Sequence, residues 1–370
     1  MDVDSFFEKL ENQYKNQLPF VVYSRPINSV IKCWLQNDDV LHKTSEFTES
    51  GFVFAPFDLK KDSIILPQEH CQYHTLEASH LDLKTEISTP SSDKKGKESH
   101  LALVSKGIEI IKKGDLEKVV LSRQDIKAID KPNPLETFKR LFNRYKNAMV
   151  YCWYHPKVGL WLGATPELLF KVEGRQLTTI ALAGTLPYRR ISTVNWTNKE
   201  IEEQQIVVDY ITKELEPYLS KVKVSEVETV RAGGLLHLKS RIMGSIEAST
   251  SLKSIIKTLH PTPAVCGYPK EASKTFILDN ENYNRQFYTG FLGELNLKYS
   301  KTRNTNRRNV ENSAYNLVKT QSNFYVNLRC MQLKQEQAFI YVGGGITKDS
   351  IPENEWEETV NKTKTMLNVI

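Results

Sequence analysis

The chain has 370 residues, a formal net charge of +6, 40% hydrophobic residues and 25% charged residues. This composition excludes an intrinsically disordered chain, and the length allows one large hydrophobic core. No apolar run reaches the roughly 18 residues of a membrane-spanning helix, and the acidic first residues lack the basic region that opens a signal peptide.

The five cysteines are scattered along the chain and form no C-x-x-C pair. Such a set supports neither a disulfide framework nor a zinc site. Reduced thiols in the cytoplasm are the simpler interpretation. The mild basic excess fits an anionic small substrate and a weak nucleic-acid affinity equally well.

A polar stretch from Thr85 to Ser99 predicts a linker or an exposed loop. It separates an N-terminal portion, residues 1–90, from a longer portion, residues 100–370. The N-terminal portion has short apolar runs, such as Phe20–Tyr23 and Ile64–Leu66, but no catalytic pattern.

Helical and strand patterns follow this stretch. Apolar residues at helical spacing between Leu101 and Ile111 predict a helix that stops near Gly114. The Asn133-Pro134 pair predicts the start of another helix. Strands are predicted at Lys118–Ser122, Met149–Tyr154, Gly159–Gly163 and Leu168–Val172. The close succession of the last three indicates antiparallel meanders.

Two further helix starts are predicted by capping boxes. Thr197 and Glu200 predict a helix that runs towards Leu215, and Ser350 and Glu353 predict the start of the last helix. Strands are predicted between them, at Phe287–Leu297, Phe324–Cys330 and Phe339–Val342. Strands that outnumber helices and run in meanders indicate the α+β class.

The segment Lys298–Gln321 is rich in Asn, Arg and Lys and has no clear strand period. We interpret it as a long, exposed insertion. A nucleic-acid-binding arm is the alternative. The segment lacks the alternation of basic and aromatic residues that binds single-stranded nucleic acid, which favours the insertion.

Two pairs of glutamates are candidates for binding a cation. Glu200 and Glu203 are three residues apart, and Glu355 and Glu358 repeat this spacing, with Lys362 four residues later. Each pair therefore lies on one helical face. Two acidic pairs on separate helices could hold one hard cation such as magnesium. The spacing also fits solvent-facing glutamates in first helical turns.

Three charged residues have both a functional and a structural interpretation. Arg329, in the predicted strand FYVNLRC, could bind a carboxylate at two points or form a structural salt bridge. Lys118, beside apolar residues, is a candidate base unless its amine reaches solvent. Glu167, in a Gly/Pro turn, is either a general acid with a raised pKa or an exposed acid.

The remaining candidates are glycines and histidines. Gly343-Gly344-Gly345 could bring backbone N–H groups close to an anion or form a plain tight turn. His237 and His260 have no third ligand at a suitable spacing, so the sequence does not predict a metal site there.

The sequence resembles the chorismate-utilising enzyme family over roughly residues 100–370. The matching stretches, all in the family's order, are EKVVLSR (117–123), GATPELLF (163–170), LAGTLPYR (182–189), KEIEEQQIVVD (199–209), LLHL (235–238), HPTPAVCGYP (260–269), FYTGFLGEL (287–295), FYVNLRC (324–330), VGGGIT (342–347) and EWEETVNK (355–362). This co-linearity favours the functional interpretation of most residues above.

The resemblance implies a role for each candidate residue. Lys118 matches the base and Glu167 the general acid that protonates the departing 4-hydroxyl. Glu203 and Glu358 match the magnesium carboxylates, with Glu200 and Glu355 beside them, so Mg²⁺ is the expected cofactor. The positions that match the family's substrate-binding residues are His237, Arg329, Gly344, Gly345, Lys362, Ala183, Gly184 and Thr185. The family usually has histidine where this chain has Gln204, from which we expect only an indirect effect.

Two positions separate the branches of the family. The branches that add ammonia typically have glutamine in place of Lys118, and the branch that makes aminodeoxychorismate typically has lysine in place of Ala183. Both residues match the isochorismate synthase branch, an isomerase that adds water at C2 of chorismate and removes the C4 hydroxyl. Salicylate synthase, which then eliminates pyruvate, is the alternative. A non-catalytic basic binding protein is a remote one, because the catalytic residues are present.

The resemblance also implies the architecture, an α+β sandwich of two stacked antiparallel β-sheets flanked by helices. Residues 1–90 are expected to complete this fold together with the catalytic core, residues 100–370. We expect a cytoplasmic monomer that binds chorismate, without a nucleic-acid, membrane or glutamine amidotransferase partner.

Overall fold

The computed structural model describes residues 1–83, 96–130, 132–187, 194–232, 235–301 and 317–370. Two large antiparallel β-sheets dominate it, and the expected α+β sandwich is confirmed. Its helices, numbered in chain order, are α1 (Val3–Lys15), α2 (Lys97–Lys112), α3 (Pro134–Arg144), α4 (Asn198–Leu215), α5 (Leu252–Leu259), α6 (Lys270–Asn280) and α7 (Pro352–Leu367), and a short 3₁₀ helix spans Gln68–His70. None of the helices in these ranges is long and apolar enough to cross a membrane.

The first sheet has nine strands. In spatial order they are β15 (Gly267–Tyr268), β7 (Lys118–Ala128), β19 (Gln337–Ile346), β18 (Cys330–Lys334), β9 (Gly159–Thr165), β8 (Met149–His155), β1 (Phe20–Ser24), β2 (Val30–Gln36) and β6 (Cys71–Glu77).

The second sheet has ten strands. In spatial order they are β12 (Leu219–Val224), β14 (Leu235–Ile246), β11 (Gln176–Pro187), β10 (Leu168–Glu173), β17 (Leu317–Val326), β16 (Phe291–Lys301), β4 (Gly51–Ala55), β5 (Ser63–Pro67) and β3 (Lys43–Thr44), and β13 (Glu228–Ala232) also pairs with β14. Strands before residue 90 extend both sheets, since β1 pairs with β8 and β4 with β16.

An aromatic core lies between the sheets. Phe54 of the second sheet stacks on Phe287 at 4.2 Å between ring centroids and contacts Trp153 and Trp161 of the first sheet. Large aromatic side chains bury much apolar surface, so this layer contributes strongly to holding the sheets together. Helices α1 and α3 cover the outer face of the first sheet, and α4 and α5 cover the second.

Local sequence signals set several helix starts as predicted. The Asn133 side chain accepts a hydrogen bond from the N–H of Glu136, and Pro134 opens α3. The capping box of Thr197 and Glu200 is present at the start of α4. The second predicted capping box is wrong. Ile351 caps α7, and the Ser350 hydroxyl instead accepts the N–H of Thr347.

Two strand predictions and the turn suggested for the three glycines are also wrong. The predicted strand Phe324–Cys330 is two strands in different sheets, because β17 ends at Val326 and β18 begins at Cys330. Residues 287–290 form turns, and β16 begins only at Phe291. The three glycines 343–345 do not form a turn but lie within β19, paired with residues 120–122 of β7.

Two predicted polar segments lie partly outside the described residues. Residues 85–95 of the predicted linker are outside them, and its last residues are helical because α2 begins at Lys97. Residues 302–316 of the predicted insertion are also outside them. Its two ends are not irregular, since Lys298 pairs with Thr320 and Lys301 with Leu317 in the hairpin of β16 and β17.

Candidate active site

Two crossovers between the sheets form the centre of the candidate site. The chain passes from β9 in the first sheet to β10 in the second, and returns from β17 to β18. The Val326 N–H donates to the Glu167 carbonyl at 3.0 Å, and the Ala164 N–H donates to the Arg329 carbonyl at 3.0 Å. The Thr165 hydroxyl donates to the Val326 carbonyl at 2.5 Å. These bonds hold the crossovers of Glu167 and Arg329 together.

Arg329 lies in this crossover. The sequence predicts a strand at this position, and that prediction is wrong. Its φ of 45° is unusual for a non-glycine residue and accompanies the change of sheet. Its Nη1 donates to the Thr365 hydroxyl at 3.3 Å. Loss of hydration lowers the pKa of Arg329, and the nearby Tyr288 and Glu358 oppose this. A guanidinium in this setting still carries its charge.

Lys118 and Glu167 lie close enough to interact electrostatically. Lys118 begins β7, where its carbonyl accepts a hydrogen bond from the Ser273 hydroxyl at 3.0 Å. Burial raises the pKa of Glu167 to about 7, and the positive charge of Lys118 acts in the opposite direction. A carboxyl group with this pKa exists in both protonation states near neutral pH, as a general acid requires.

Gly344 and Gly345 allow charged side chains to approach the strand β19. A Cβ on Gly345 would lie 2.9 Å from Cε of Lys118. A Cβ on Gly344 would lie 3.2 Å from Oε2 of Glu355 and 3.8 Å from Oε1 of Glu358. Any larger residue would therefore push away the lysine or the acids. The absence of side chains explains these glycines better than turn formation does.

The acidic residues of α7 lie beside this glycine strand. Oε2 of Glu355 is buried and makes no hydrogen bond to any residue that the structure describes. Burial raises the pKa of Glu355, the Ser350 side chain lowers it by hydrogen bonding, and the charge of Glu358 raises it further. Lys362 binds Oε1 of Glu358 at 2.5 Å and the Gly343 carbonyl at 2.8 Å. Two carboxylates with a buried, unpartnered oxygen suit a hard divalent cation.

The second sheet contributes a facing group of residues. Gly184 has a φ of 67° at an irregularity of β11, where Ala183 pairs with Leu238 and Thr185 with His237. Nδ1 of His237 lies 3.2 Å from the Gly184 carbonyl. Burial lowers the pKa of His237, the Gly184 carbonyl opposes this, and the charge of Arg329 lowers it further. His237 thus lies within electrostatic range of the crossover.

Helix α4 approaches Gly184 from outside the sheet. A Cβ on Gly184 would lie 3.2 Å from Cβ of Glu200. Oε2 of Glu200 accepts the Thr197 N–H at 3.0 Å and the Thr197 hydroxyl, so this carboxylate caps its own helix. The side chains of Glu203 and Thr185 lie outside what the structure describes.

Most of the predicted residues therefore form one continuous chain of neighbours. One branch links Glu167, Lys118, Gly345, Gly344, Glu355, Glu358 and Lys362 through contacts and electrostatic interactions. A second branch leads from Glu358 through Arg329, His237 and Gly184 to Glu200. Ala183 joins it through the backbone beside Gly184.

Three supporting residues escaped the sequence analysis. The sequence predicts Ser350 as a helix cap, but its side chain lies close enough to Glu355 to lower the pKa of that carboxyl. Ser273 anchors the backbone of Lys118, and Thr365 holds Arg329. Isolated serines and threonines give no sequence signal for such contacts.

Gln204 donates to the Ala181 carbonyl at 3.1 Å and to the Ser240 hydroxyl at 3.2 Å, which ties α4 to the second sheet.

Comparisons with known proteins identify the family of the chain. Two family models described as chorismate binding enzyme match residues 57–300 and 314–368. The chain is similar to isochorismate synthase MenF of Pasteurella multocida, with 28% identity over 283 residues, which is 72% of this chain and 60% of that protein. It therefore spans less than two thirds of the length of this relative.

Two further similarities cover a larger share of the related protein. Isochorismate synthase DhbC of Bacillus subtilis is 27% identical over 342 residues, which is 84% of this chain and 78% of that protein. The crystal structure of a putative 2,3-dihydroxybenzoate-specific isochorismate synthase from Bacillus anthracis superimposes with a TM-score of 0.73 and 25% identity, covering 98% of each chain.

Proposed function

The chain belongs to the chorismate binding enzyme family, and from this premise we propose that it is an isochorismate synthase. The names of its relatives support this activity. Within the chain, the observation that carries the proposal is the electrostatic interaction of Lys118 with Glu167. Burial raises the pKa of Glu167 to about 7. The pair supplies a base and an acid in one place.

Lys118 is the proposed base. As the oxygen of water bonds to C2 of chorismate, a proton of that water passes to the neutral amine of Lys118. The Lys118 side chain lies against the backbone of Gly345, which fixes where this amine can reach. Where ammonia attacks, no such base for water is needed, so lysine at this position favours the water-adding reaction.

Glu167 is the proposed acid. As the ring double bonds shift, the bond between C4 and its hydroxyl oxygen breaks, and the protonated carboxyl of Glu167 gives its proton to that oxygen. One water is consumed at C2 and one is released at C4, so the product is an isomer of the substrate. The raised pKa of Glu167 keeps a large fraction of the carboxyl protonated near pH 7.

Substrate carboxylates are assigned to the basic groups around the glycines. Arg329 uses one edge for Thr365, and we assign its other edge to a carboxylate of chorismate. Lys362 of α7 donates to the Gly343 carbonyl, next to Gly344 and Gly345. Lys362 and the backbone of these two glycines are assigned to the same role. His237 is assigned to the side of the substrate ring.

A magnesium ion is part of this proposal. Glu358 and Glu203 would hold it, with Glu355 beside them, since the buried Oε2 of Glu355 has no other partner among the described residues. Glu200 is the weaker candidate because its carboxylate caps α4. When bound, Mg²⁺ would neutralise charge on the ring carboxylate of the substrate during the displacement.

The decisive experiment incubates the purified chain with chorismate and Mg²⁺ and separates the products by chromatography. Isochorismate as the main product supports the proposal. Salicylate, which is fluorescent, would instead assign salicylate synthase. A parallel incubation with ammonium should yield neither anthranilate nor aminodeoxychorismate, and either one as the main product would overturn the water-adding assignment.

A further inference from the structure

A second group of potential metal ligands lies at the opposite edge of the sandwich from Lys118. Asp38 and His42 lie between β2 of the first sheet and β3 of the second. His70 ends the 3₁₀ helix between β5 and β6, where the chain returns to the first sheet. These three residues therefore sit on two neighbouring crossovers, which the Asn37 N–H and the His70 carbonyl already join at 2.9 Å.

The three side chains converge on one point. One ligand atom from each, a carboxylate oxygen or a ring nitrogen, lies within 4.8 Å of the other two. Nε2 of His42 is 4.0 Å from Oδ1 of Asp38. The two imidazole rings stack at 4.7 Å between centroids with an interplanar angle of 26°.

Two details distinguish this cluster from a chance grouping on the surface. Nε2 of His42 is shielded from solvent and has no hydrogen-bond partner within the part of the chain that the structure describes. Asp38 is held in place by its own loop, since Oδ1 accepts the Gln36 amide at 2.9 Å and the Val40 N–H at 3.0 Å. An unsatisfied nitrogen thus faces a fixed carboxylate and a second imidazole.

We propose that Asp38, His42 and His70 bind a divalent transition-metal ion of the zinc type, with water completing its coordination. Two imidazoles and one carboxylate suit Zn²⁺, Ni²⁺ or Co²⁺, whereas Mg²⁺ prefers oxygen ligands. Tetrahedral ligands at about 2.0–2.2 Å from zinc lie about 3.4 Å from one another, so the distances between ligand atoms must shorten by up to about 1.4 Å.

The cluster can make this adjustment. The side chain of His70 is 44% exposed, so its ring can turn out of the stack until its nitrogen points to the same centre as His42. His42 and His70 line a surface depression of about 710 Å³, which gives an ion and its waters access. The bound ion would tie the two crossovers together, and its binding to the folded state would stabilise the protein.

The test is a zinc titration in competition with a chromogenic chelator, with saturating Mg²⁺ present throughout. The wild type should bind one more zinc ion than His42→Ala and Asp38→Asn. Asp38→Asn retains the oxygen that accepts the Val40 N–H, so it keeps the loop while removing the carboxylate charge. His80→Ala, which removes an exposed histidine outside the cluster, is the matched control and should bind zinc as the wild type does.

Thermal unfolding supplies a second, independent measurement. Zinc should raise the melting temperature of the wild type and of His80→Ala, and should raise that of Asp38→Asn much less. Should His42→Ala fail to fold by circular dichroism, Asp38→Asn alone decides. Equal zinc stoichiometry and affinity in the wild type and Asp38→Asn would overturn the proposal, whatever reaction the enzyme catalyses.

Discussion

The side chain of Lys118 lies against the backbone of Gly345, so closely that a Cβ on Gly345 would come within 2.9 Å of Cε of the lysine. The two residues are neighbours because β7 and β19 pair in register up to Val119 and Ile346. The glycine strand therefore fixes where the proposed base can reach. Predictions about the base, the acid and the cation site follow from this arrangement.

Gly345→Ala should reduce kcat for isochorismate formation by at least about 10-fold, since a misplaced reacting group commonly costs one to two orders of magnitude. The new methyl group would displace Lys118. Steady-state kinetics measure the effect. Gly244→Ala is the control, because its Cβ would lie 3.0 Å from Leu219, a similarly tight contact in the other sheet. Equal losses in both variants would attribute the effect to general crowding.

Lys118→Gln should lower kcat about 10²-fold or more, the usual scale for removing a general base. The variant should still bind chorismate and Mg²⁺, which calorimetry can measure. Lys112→Gln, an exposed lysine of α2, is the control. Wild-type turnover in Lys118→Gln would place the base elsewhere.

Glu167 should control the alkaline limb of the wild-type pH profile. The proposed step needs its protonated form, so kcat should fall as pH rises through about 7. Glu167→Gln should lose most of the turnover, and its remaining activity should lack this limb. A profile that stays flat from pH 6 to pH 9 in the wild type would contradict the role of Glu167 as the acid.

The same residue should affect stability in a pH-dependent way. Its pKa is raised from 4.5 to about 7, so between these values the folded state binds more protons than the unfolded state. The free energy of unfolding therefore falls as pH rises through this window. Glu167→Gln should be more stable than the wild type at pH 8, by up to about 3 kcal/mol, and not at pH 4. Denaturant unfolding at both pH values measures the difference, and an equal difference at both would refute it.

Glu358→Gln should raise the Mg²⁺ concentration needed for half-maximal activity by about 10-fold or more, the scale on which loss of a metal-site residue weakens binding. Removal of this charge should also lower the pKa of Glu355, which Glu358 raises. Activity assays over a magnesium series and calorimetry of Mg²⁺ binding check the first effect. Glu357→Gln, the exposed neighbour on α7, is the control. The same magnesium response in both variants would exclude Glu358 as a ligand.

Much of the fold was predictable because its signals are local. Asn133-Pro134 and the Thr197–Glu200 capping box set helix starts through bonds within four residues, and the structure contains both. Ser350 shows the limit of this reasoning. Its spacing to Glu353 fits a capping box, but its side chain instead lowers the pKa of Glu355. The fold brings Glu355 close to Gly344.

The strand errors have a related cause. FYVNLRC is mostly apolar because the end of β17 and the start of β18 are both buried, so its pattern gives no sign that the chain changes sheets after Val326. The glycines 343–345 suggested a turn because glycine favours turns. In the structure they keep β19 open to Lys118 and Glu355, a reason that depends on residues far away in the sequence.

The sequence by itself determined the residue types of the site, their order along the chain, the α+β class and the family, because these depend on composition, local pattern and motif order. The tertiary structure alone decided which residues meet. The paired crossovers bring Glu167 close to Arg329, and the approach of Asp38 and His42 to His70 joins positions with no common motif. Burial raises the pKa of Glu167. It also leaves Oε2 of Glu355 without a hydrogen-bond partner among the described residues. Both properties arise only when distant segments pack together.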